Sequence, residues 1–260
     1  MAGLVKVNIE NGLARITLAR PEAGNAISMA LVEDLVVACE EVAGDRGVRA
    51  VLIDSEGKNF CVGGDINDFT KGADPGAAIE KLANRMHDGI EKLAGLDAPV
   101  VTAVRGAAAG AGLSLAAMGD IVIASESANF TLAYTGIGLT ADGGATWTLP
   151  RLIGLRRTQE MAFLNRRLSA AEAESWGLVT RVVPDDAIDA EALAMAVRLA
   201  EGPTRAFGAI RRLLDRSHTA TLREQLDAEA RAIGAALRTE DAQGAVKAFL
   251  AREKPVFRGE

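Results

Sequence analysis

The pattern of apolar and polar positions changes character along the chain. Residues 4–10 and 13–18 alternate around Asn11-Gly12, which predicts a β-hairpin. Arg20-Pro21 ends it. Ser28 suits the N-cap of a helix reaching about Val42, with Leu31, Leu35, Val36 and Val42 on one face. Residues 48–53, 99–104 and 121–124 are short continuous apolar runs, the pattern of strands buried on both faces. Phe130 and Leu132 predict a strand piece, and residues 179–183 a final strand stopped by Pro184. Helical periodicity covers residues 75–96, 155–165 and 169–176, and a Gly-rich loop turning into a helix fills 132–154. From Asp185 only helices are expected, over 185–201, 203–217, 222–237 and 240–252. Strands alternating with helices, followed by helices alone, predict an α/β core with a parallel sheet and a helical C-terminal part.

Residues 104–125, VRGAAAGAGLSLAAMGDIVIAS, organise the middle of the chain. The run ends a strand, turns at Gly106, becomes a short apolar helix and returns to a strand. With so few side chains, another group can approach its backbone closely. The first N–H groups of the helix lack intrahelical partners and carry its positive dipole end, which favours an oxygen that is negative or becoming so. Close packing of a buried helix would select the same Gly and Ala. A second loop, Cys61-Val62-Gly63-Gly64-Asp65, likewise follows a strand and precedes a helical start. The N–H groups of Gly64 and Ala111 are therefore candidates for an oxyanion hole, where each donor is worth about 3–4 kcal/mol to charge developing on a carbonyl oxygen. Two ordinary tight turns are the alternative.

Asp142, in Thr140-Ala141-Asp142-Gly143-Gly144, stands just before a helix. It suits an N-cap. It equally suits a catalytic base, since a helix N-terminus favours the carboxylate while burial opposes it. Tyr134 is the only tyrosine. By residue type it is a half-buried packing residue with its hydroxyl at the surface.

Composition narrows the function classes. The 260 residues are 49% hydrophobic but only 4% aromatic, which gives a large aliphatic core. A net charge of −6 argues against nucleic acid or an anionic membrane as partner. Cys39 and Cys61 form no disulfide framework and no metal spacing, which points to a reduced, cytoplasmic chain. The N-terminal residues enter strand pattern directly, without a signal-like apolar region, and no apolar run reaches membrane-spanning length.

Six motifs, in order, carry a resemblance. They are ARPEAGNAI (residues 19–27), NFCVGGDINDF (59–69), APVVTAVRGAAAGAGLSLAAMGDIVIAS (98–125), FTLAYTGIGLTADGGATWTLPRLIG (130–154), NRRLSAAEAESWGLVTRVVP (165–184) and TEDAQGAVKAFLAREKPVF (239–257). The chain resembles the crotonase, or enoyl-CoA hydratase/isomerase, superfamily over nearly its whole length. The resemblance implies a spiral of ββα units over residues 1–200 and a helical trimerisation region over 201–260, assembled as a homotrimer or a hexamer of two trimers. It implies acyl-CoA thioester substrates, CoA being part of the substrate, with no metal or redox cofactor. The thioester oxygen would be held by Gly64 and Ala111, with Gly63, Asp65, Ile66 and Gly110 beside it. Asn25, Ala26, Ile27 and the loop around Lys58 would lie along CoA. Lys254, Phe257 and Arg258, from a neighbouring subunit, would lie near its adenine and phosphate end. By residue type alone, Asp65 and Asp68 are helix-start and surface charges, Asp120 makes a structural hydrogen bond, and Arg151, Arg156 and Arg157 are surface or interface residues. Cys61 is then a packing residue and His218 is exposed between helices.

Departures from the family pattern choose among reactions. The two glutamates with which hydratases hold water align with Ser114 and Tyr134, neither of which is an acid or base of suitable pKa. Hydration is therefore disfavoured. Asp142 occupies a position that some enoyl-CoA isomerases of the family use, and its surroundings resemble the phenylacetate-pathway isomerases. Moving a double bond needs one acid/base and an oxyanion hole, so isomerisation through Asp142 is the leading expectation. His87, with Asp142 and Tyr134, also resembles the aryl-CoA dehalogenases, in which the aspartate attacks the ring and the histidine activates water. The tryptophan-rich pocket of those enzymes is missing here. A non-catalytic acyl-CoA-binding subunit is a further alternative.

Overall fold

The computed structural model describes residues 3–260, so Met1 and Ala2 of the strand-entering N-terminus lie outside the described residues. The expected hairpin forms from β1 (Val5–Glu10) and β2 (Leu13–Leu18), paired antiparallel with Glu10 opposite Leu13. Asn11 and Gly12 both have positive φ, as a tight hairpin turn requires. Helix α1 (Met29–Gly44) follows, with Ser28 Oγ accepting the Leu31 N–H at 3.3 Å. Then come β3 (Ala50–Ser55), the single turn α2 (Ile66–Phe69), α3 (Pro75–Ala94), β4 (Val100–Val104), β5 (Ala107–Ala109) and α4 (Ala111–Ala117). The chain continues through β6 (Ile121–Ser125), β7 (Asn129–Thr131), α5 (Ala145–Ile153), α6 (Leu155–Phe163), β8 (Arg167–Ser169), α7 (Ala170–Trp176) and β9 (Arg181–Val183). Four helices close it: α8 (Ile188–Ala200), α9 (Thr204–Ser217), α10 (Leu222–Ala236) and α11 (Glu240–Ala251).

The main sheet has the order β1-β2-β3-β4-β6-β9, and every pair after the hairpin is parallel. A second sheet, β5-β7-β8, pairs β5 with β7 in parallel and β7 with β8 antiparallel. Single parallel bridges, Ile27 with Gly64 and Cys61 with Ala108, carry this second layer back to the earlier turns of the chain. Each turn thus gives a strand to the main sheet, a short extended piece to the second layer, and a helix. That is the spiral of ββα units expected.

All six residues of β3 are buried, including Asp54 and Ser55, two residues beyond the apolar run that announced the strand. Burying Asp54 is tolerated because β2 answers it: Thr17 Oγ1 donates to it at 2.6 Å and Arg15 Nε at 2.7 Å. The main core lies between the sheet and α1, α3 and α4, with Ile16, Leu35, Ile53, Met86 and Leu113 fully enclosed. On the opposite face, Leu52, Val101 and Ile123 pack against Ile188, Ala192 and Ala196 of α8. Arg211 fixes α9 by donating to the Leu96 carbonyl at 2.7 Å and to Asp120 at 2.8 Å, while Asp120 also accepts the Val100 N–H at 2.7 Å. Helix α10 buries no residue, and α11 leaves Phe249 80% and Leu250 77% exposed. Among the described residues no helix is long and apolar enough to cross a membrane.

Candidate active site

Two glycine-bearing loops meet at the ends of β3 and β5. The Ile27 N–H donates to the Gly63 carbonyl and the Asp65 N–H to the Ile27 carbonyl, both at 2.8 Å. The Cys61 N–H donates to Ala107, and the Ala109 N–H to Cys61 at 2.9 Å, so the first loop is laced to the second. The Gly110 N–H donates to Thr131 at 3.0 Å. These bonds fix both loops and leave the two expected donors out. Among the described residues, neither the Gly64 nor the Ala111 N–H donates to a protein acceptor. The approach depends on Gly112, where a Cβ would overlap the Cys61 carbonyl oxygen and sit 2.7 Å from Cys61 Cβ. Burial pushes the Cys61 thiol up to about 12, so it is a packing residue and not a nucleophile.

The acid/base candidate is built differently. Helix α5 starts at Ala145 with Gly144 as its cap, so the Asp142 carboxylate caps nothing. It accepts the Tyr134 hydroxyl at 2.5 Å on Oδ1. Tyr134 lies in the 3-10 turn Tyr134–Ile137, and its hydroxyl points inward, not to the surface as residue type alone suggested. Burial, and then the Asp142 charge, push the Tyr134 phenol far up, so it remains a proton donor. Ser114, one turn into α4 and 2% exposed, donates to the Asp142 carbonyl at 2.9 Å and lies 3.2 Å from the Tyr134 hydroxyl.

Both halves line one cavity of about 220 Å³. Gly64, Ala111, Tyr134 and Asp142 share its wall with the apolar Val62, Ile66, Ile79 and Leu82. Asp142 is the only carboxylate among the described lining residues. His87 does not join it there. Its Nε2 accepts the Gly143 N–H at 3.1 Å, and it lines a separate cavity of about 710 Å³ with Trp147, Arg151 and His218. Asp142-Gly143-Gly144 is the wall between the two spaces.

Comparison with known proteins fits this arrangement. The family model for enoyl-CoA hydratase/isomerase matches residues 8–260. The chain belongs to the enoyl-CoA hydratase/isomerase family. It is 37% identical to a 1,2-epoxyphenylacetyl-CoA isomerase of Escherichia coli, covering 100% of both chains. It is 38% identical to a "probable enoyl-CoA hydratase" of Rhodobacter capsulatus, covering 98% of each. A solved Mycobacterium abscessus protein, described at the family level as an enoyl-CoA hydratase/isomerase, superimposes with a TM-score of 0.94 at 41% identity, over 98% of this chain and 100% of that one. The crotonase fold expected from the motifs is thus established.

The remaining family positions scatter. Asn25 is fully buried, and its side chain joins two loops: Nδ2 donates to the Glu56 and Asn59 carbonyls at 3.0 and 2.9 Å, and Oδ1 accepts the Arg20 N–H at 2.8 Å. Ala26 and Ile27 are buried beside it, and Lys58 is exposed. Gly63, Ile66 and Gly110 line the 220 Å³ cavity. Lys254, Phe257 and Arg258 do not reach that cavity in the same chain. The Arg258 and Gly259 N–H groups donate to Asp241 at 2.6 and 2.7 Å, and Gly259 packs near Arg49, at the opposite end of β3 from the site.

Sequence reasoning missed an ion pair behind the Gly64 loop. Arg20 pairs with Asp65 at 2.9 Å and also donates to the Ala26 carbonyl at 3.1 Å, which ties the residue after Gly64 to the Asn25 loop. Asp68 was likewise more than a surface charge: it accepts the Met29 N–H at 2.7 Å and so caps α1. Both partners are about 40 residues apart in the chain, beyond any local spacing signal.

Proposed function

We propose that this chain moves a carbon–carbon double bond within an enoyl-CoA thioester. Gly64 and Ala111 polarise the thioester oxygen and Asp142 serves as acid and base. The observation that carries this reading is the single carboxylate in the wall of a cavity that also presents two unengaged N–H groups. Asp142 removes a proton alpha or gamma to the thioester, the two donors hold the resulting enolate, and the same acid returns the proton at the other carbon. The reaction is redox-neutral and its charge is met by N–H groups, so it calls for no metal or redox cofactor; CoA enters as part of the substrate. Asn25, Ala26, Ile27, Lys58, Gly63, Asp65, Ile66 and Gly110 are the proposed CoA and thioester contacts, the first three through backbone that the buried Asn25 side chain shapes.

Hydration is the second reading, favoured by the hydratase name of one close relative. It needs a second acid or base, and besides Asp142 the described cavity wall offers only the hydroxyls of Tyr134, which donates to Asp142, and Thr140. Dehalogenation would need His87 free beside Asp142, yet its Nε2 is occupied by the Gly143 N–H. A binding subunit without chemistry would have no use for the carboxylate.

The proposed division is a catalytic unit over 1–200 and an assembly unit over 201–260, in a homotrimer or hexamer in the cytoplasm. The apolar residues that α10 and α11 leave in solvent support an assembly role, and a neighbour would bring Lys254, Phe257 and Arg258 to the CoA tail. The deciding experiment offers a 3-enoyl-CoA and a 2-enoyl-CoA to the protein and to Asp142→Asn. Isomerisation that depends on Asp142, with little 3-hydroxyacyl-CoA formed, is the expected outcome. Unimpaired isomerisation by Asp142→Asn, or hydration as the dominant reaction, overturns the reading.

A further inference from the structure

Three side chains from separate elements converge on the Asp142-Gly143 turn. Tyr134 donates to its side chain at Oδ1, Ser114 donates to its main-chain carbonyl, and His87 accepts the next N–H, that of Gly143. Gly143 has φ +60, and a Cβ there would sit 2.8 Å from Ser114 Cβ, so the loop is pressed onto α4. Resting on the reading of Asp142 as acid and base, we propose that Tyr134 and Ser114 are positioning residues that clamp Asp142, holding Oδ1 and presenting Oδ2 to the reacting carbons, so that the abstracted proton is returned to substrate before it exchanges with water.

The protons can be counted. Each hydroxyl has one to give. The Tyr134 proton goes to Oδ1, the only carboxylate oxygen within its reach, and the raised phenol keeps that proton in place. The Ser114 proton goes to the Asp142 carbonyl at 2.9 Å, the nearest of its acceptors; the Gly110 carbonyl lies at 3.4 Å. Among the described residues Oδ2 takes no protein hydrogen bond, and Asp142 forms part of the cavity wall.

In the first half-reaction a C–H bond of the enoyl thioester breaks. Its proton forms an O–H bond with Oδ2, and its electron pair passes onto the thioester oxygen. In the second, that pair forms a new C–H bond at the other carbon, and the proton leaves Oδ2. No electron, proton or water is consumed. The Tyr134 donor serves Oδ1 equally in the carboxylate and in the acid protonated on Oδ2. Nothing in the clamp must rearrange between the halves, so return of the same proton is favoured over exchange.

The test runs 3-enoyl-CoA isomerisation in deuterated water at low conversion and reads kcat, KM and the deuterium content of the receiving carbon. For Tyr134→Phe, kcat should fall about 10- to 100-fold, the worth of one hydrogen bond to a charged group, with KM within about threefold. The deuterium content should rise by about twofold or more as orientation is lost. Ser114→Ala should move both readouts the same way by less, and it provides the answer if Tyr134→Phe does not fold. Wild-type kcat and deuterium content in both variants overturn the clamp, as does a fall in kcat with unchanged deuterium content and a lowered Tm, which marks packing alone. An active wild type with inactive Asp142→Asn but unaffected Tyr134→Phe sinks the clamp only. A wild type that neither isomerises the substrate nor exchanges its protons sinks the Asp142 reading and the clamp with it.

Discussion

The two halves of the site are made of different material. The proposed oxyanion half is backbone: the Gly64 and Ala111 N–H groups, set by loops that hydrogen-bond to one another and by close approaches at Gly63 and Gly112. The proposed acid/base half is side chain: one carboxylate held by the Tyr134 hydroxyl, with Ser114 holding the Asp142 main-chain carbonyl. A backbone donor can be displaced but not deleted, so its failure takes the fold along. A side chain can be deleted while the fold stays. The largest expected effect follows from that difference. Asp142→Asn should lower kcat by about 10²–10⁴-fold, the usual worth of a general acid or base, with KM and Tm close to wild type. Steady-state kinetics with thermal unfolding checks it, and a loss of Tm comparable to the loss of rate would erase the distinction between the halves.

The backbone half should break in the opposite way. Asn25 is fully buried and its removal leaves the Arg20 N–H and the Glu56 and Asn59 carbonyls short of partners. Asn25→Ala should cost about 3 kcal/mol of stability, and activity should fall with it because the Arg20–Asp65 anchor of the Gly64 loop sits on the same turn. Denaturant unfolding measures the first and thioester turnover the second. Gly112→Ala presses a Cβ onto the Cys61 carbonyl and should cost about 1–3 kcal/mol, by pushing apart the loops that present the two donors. For this variant KM and kcat should both worsen, whereas Asp142→Asn spares KM. A Gly112→Ala protein with wild-type stability would show that the loops have slack and are not set by that contact.

How much of this was legible in the sequence differs between the halves in the same way. Strands β3, β4 and β6 and the hairpin announce themselves through apolar runs and Asn11-Gly12, and the Gly64 and Ala111 loops through glycine after a strand. Strands β5 and β8 do not, because AAA and RLS have no strand pattern of their own and are made extended by pairing with β7. Residue type placed the Tyr134 hydroxyl at the surface, and only the fold shows that the Thr140–Gly144 loop folds back over α4 to meet it. The Asp142 carboxylate was equally compatible with a helix cap; the late start of α5 at Ala145 removes that role. Local spacing reports local structure, and the side-chain half of this site is assembled from contacts 8 to 56 residues apart.

The smallest expected effect lies inside the backbone half, at Cys61, and in the core at Cys39. Burial pushes each thiol up to about 12, from an ordinary value near 9. The sign follows from which state holds the proton. Between the two values the folded protein keeps both thiols protonated while the unfolded chain ionises, so the stabilising difference is complete below about pH 9 and is lost as pH rises toward 12. Each thiol should remove on the order of 1 kcal/mol by pH 10, one unit above the ordinary value. Urea unfolding at pH 8 and pH 10 measures the loss, and Cys61→Ala should remove its own share of that pH dependence while lowering stability at both. The same burial predicts that iodoacetamide leaves Cys61 unlabelled at pH 8 until urea unfolds the protein. Rapid labelling of the native chain would mean that the packing under Gly112 opens, and that the backbone half of the site is less fixed than its hydrogen bonds make it.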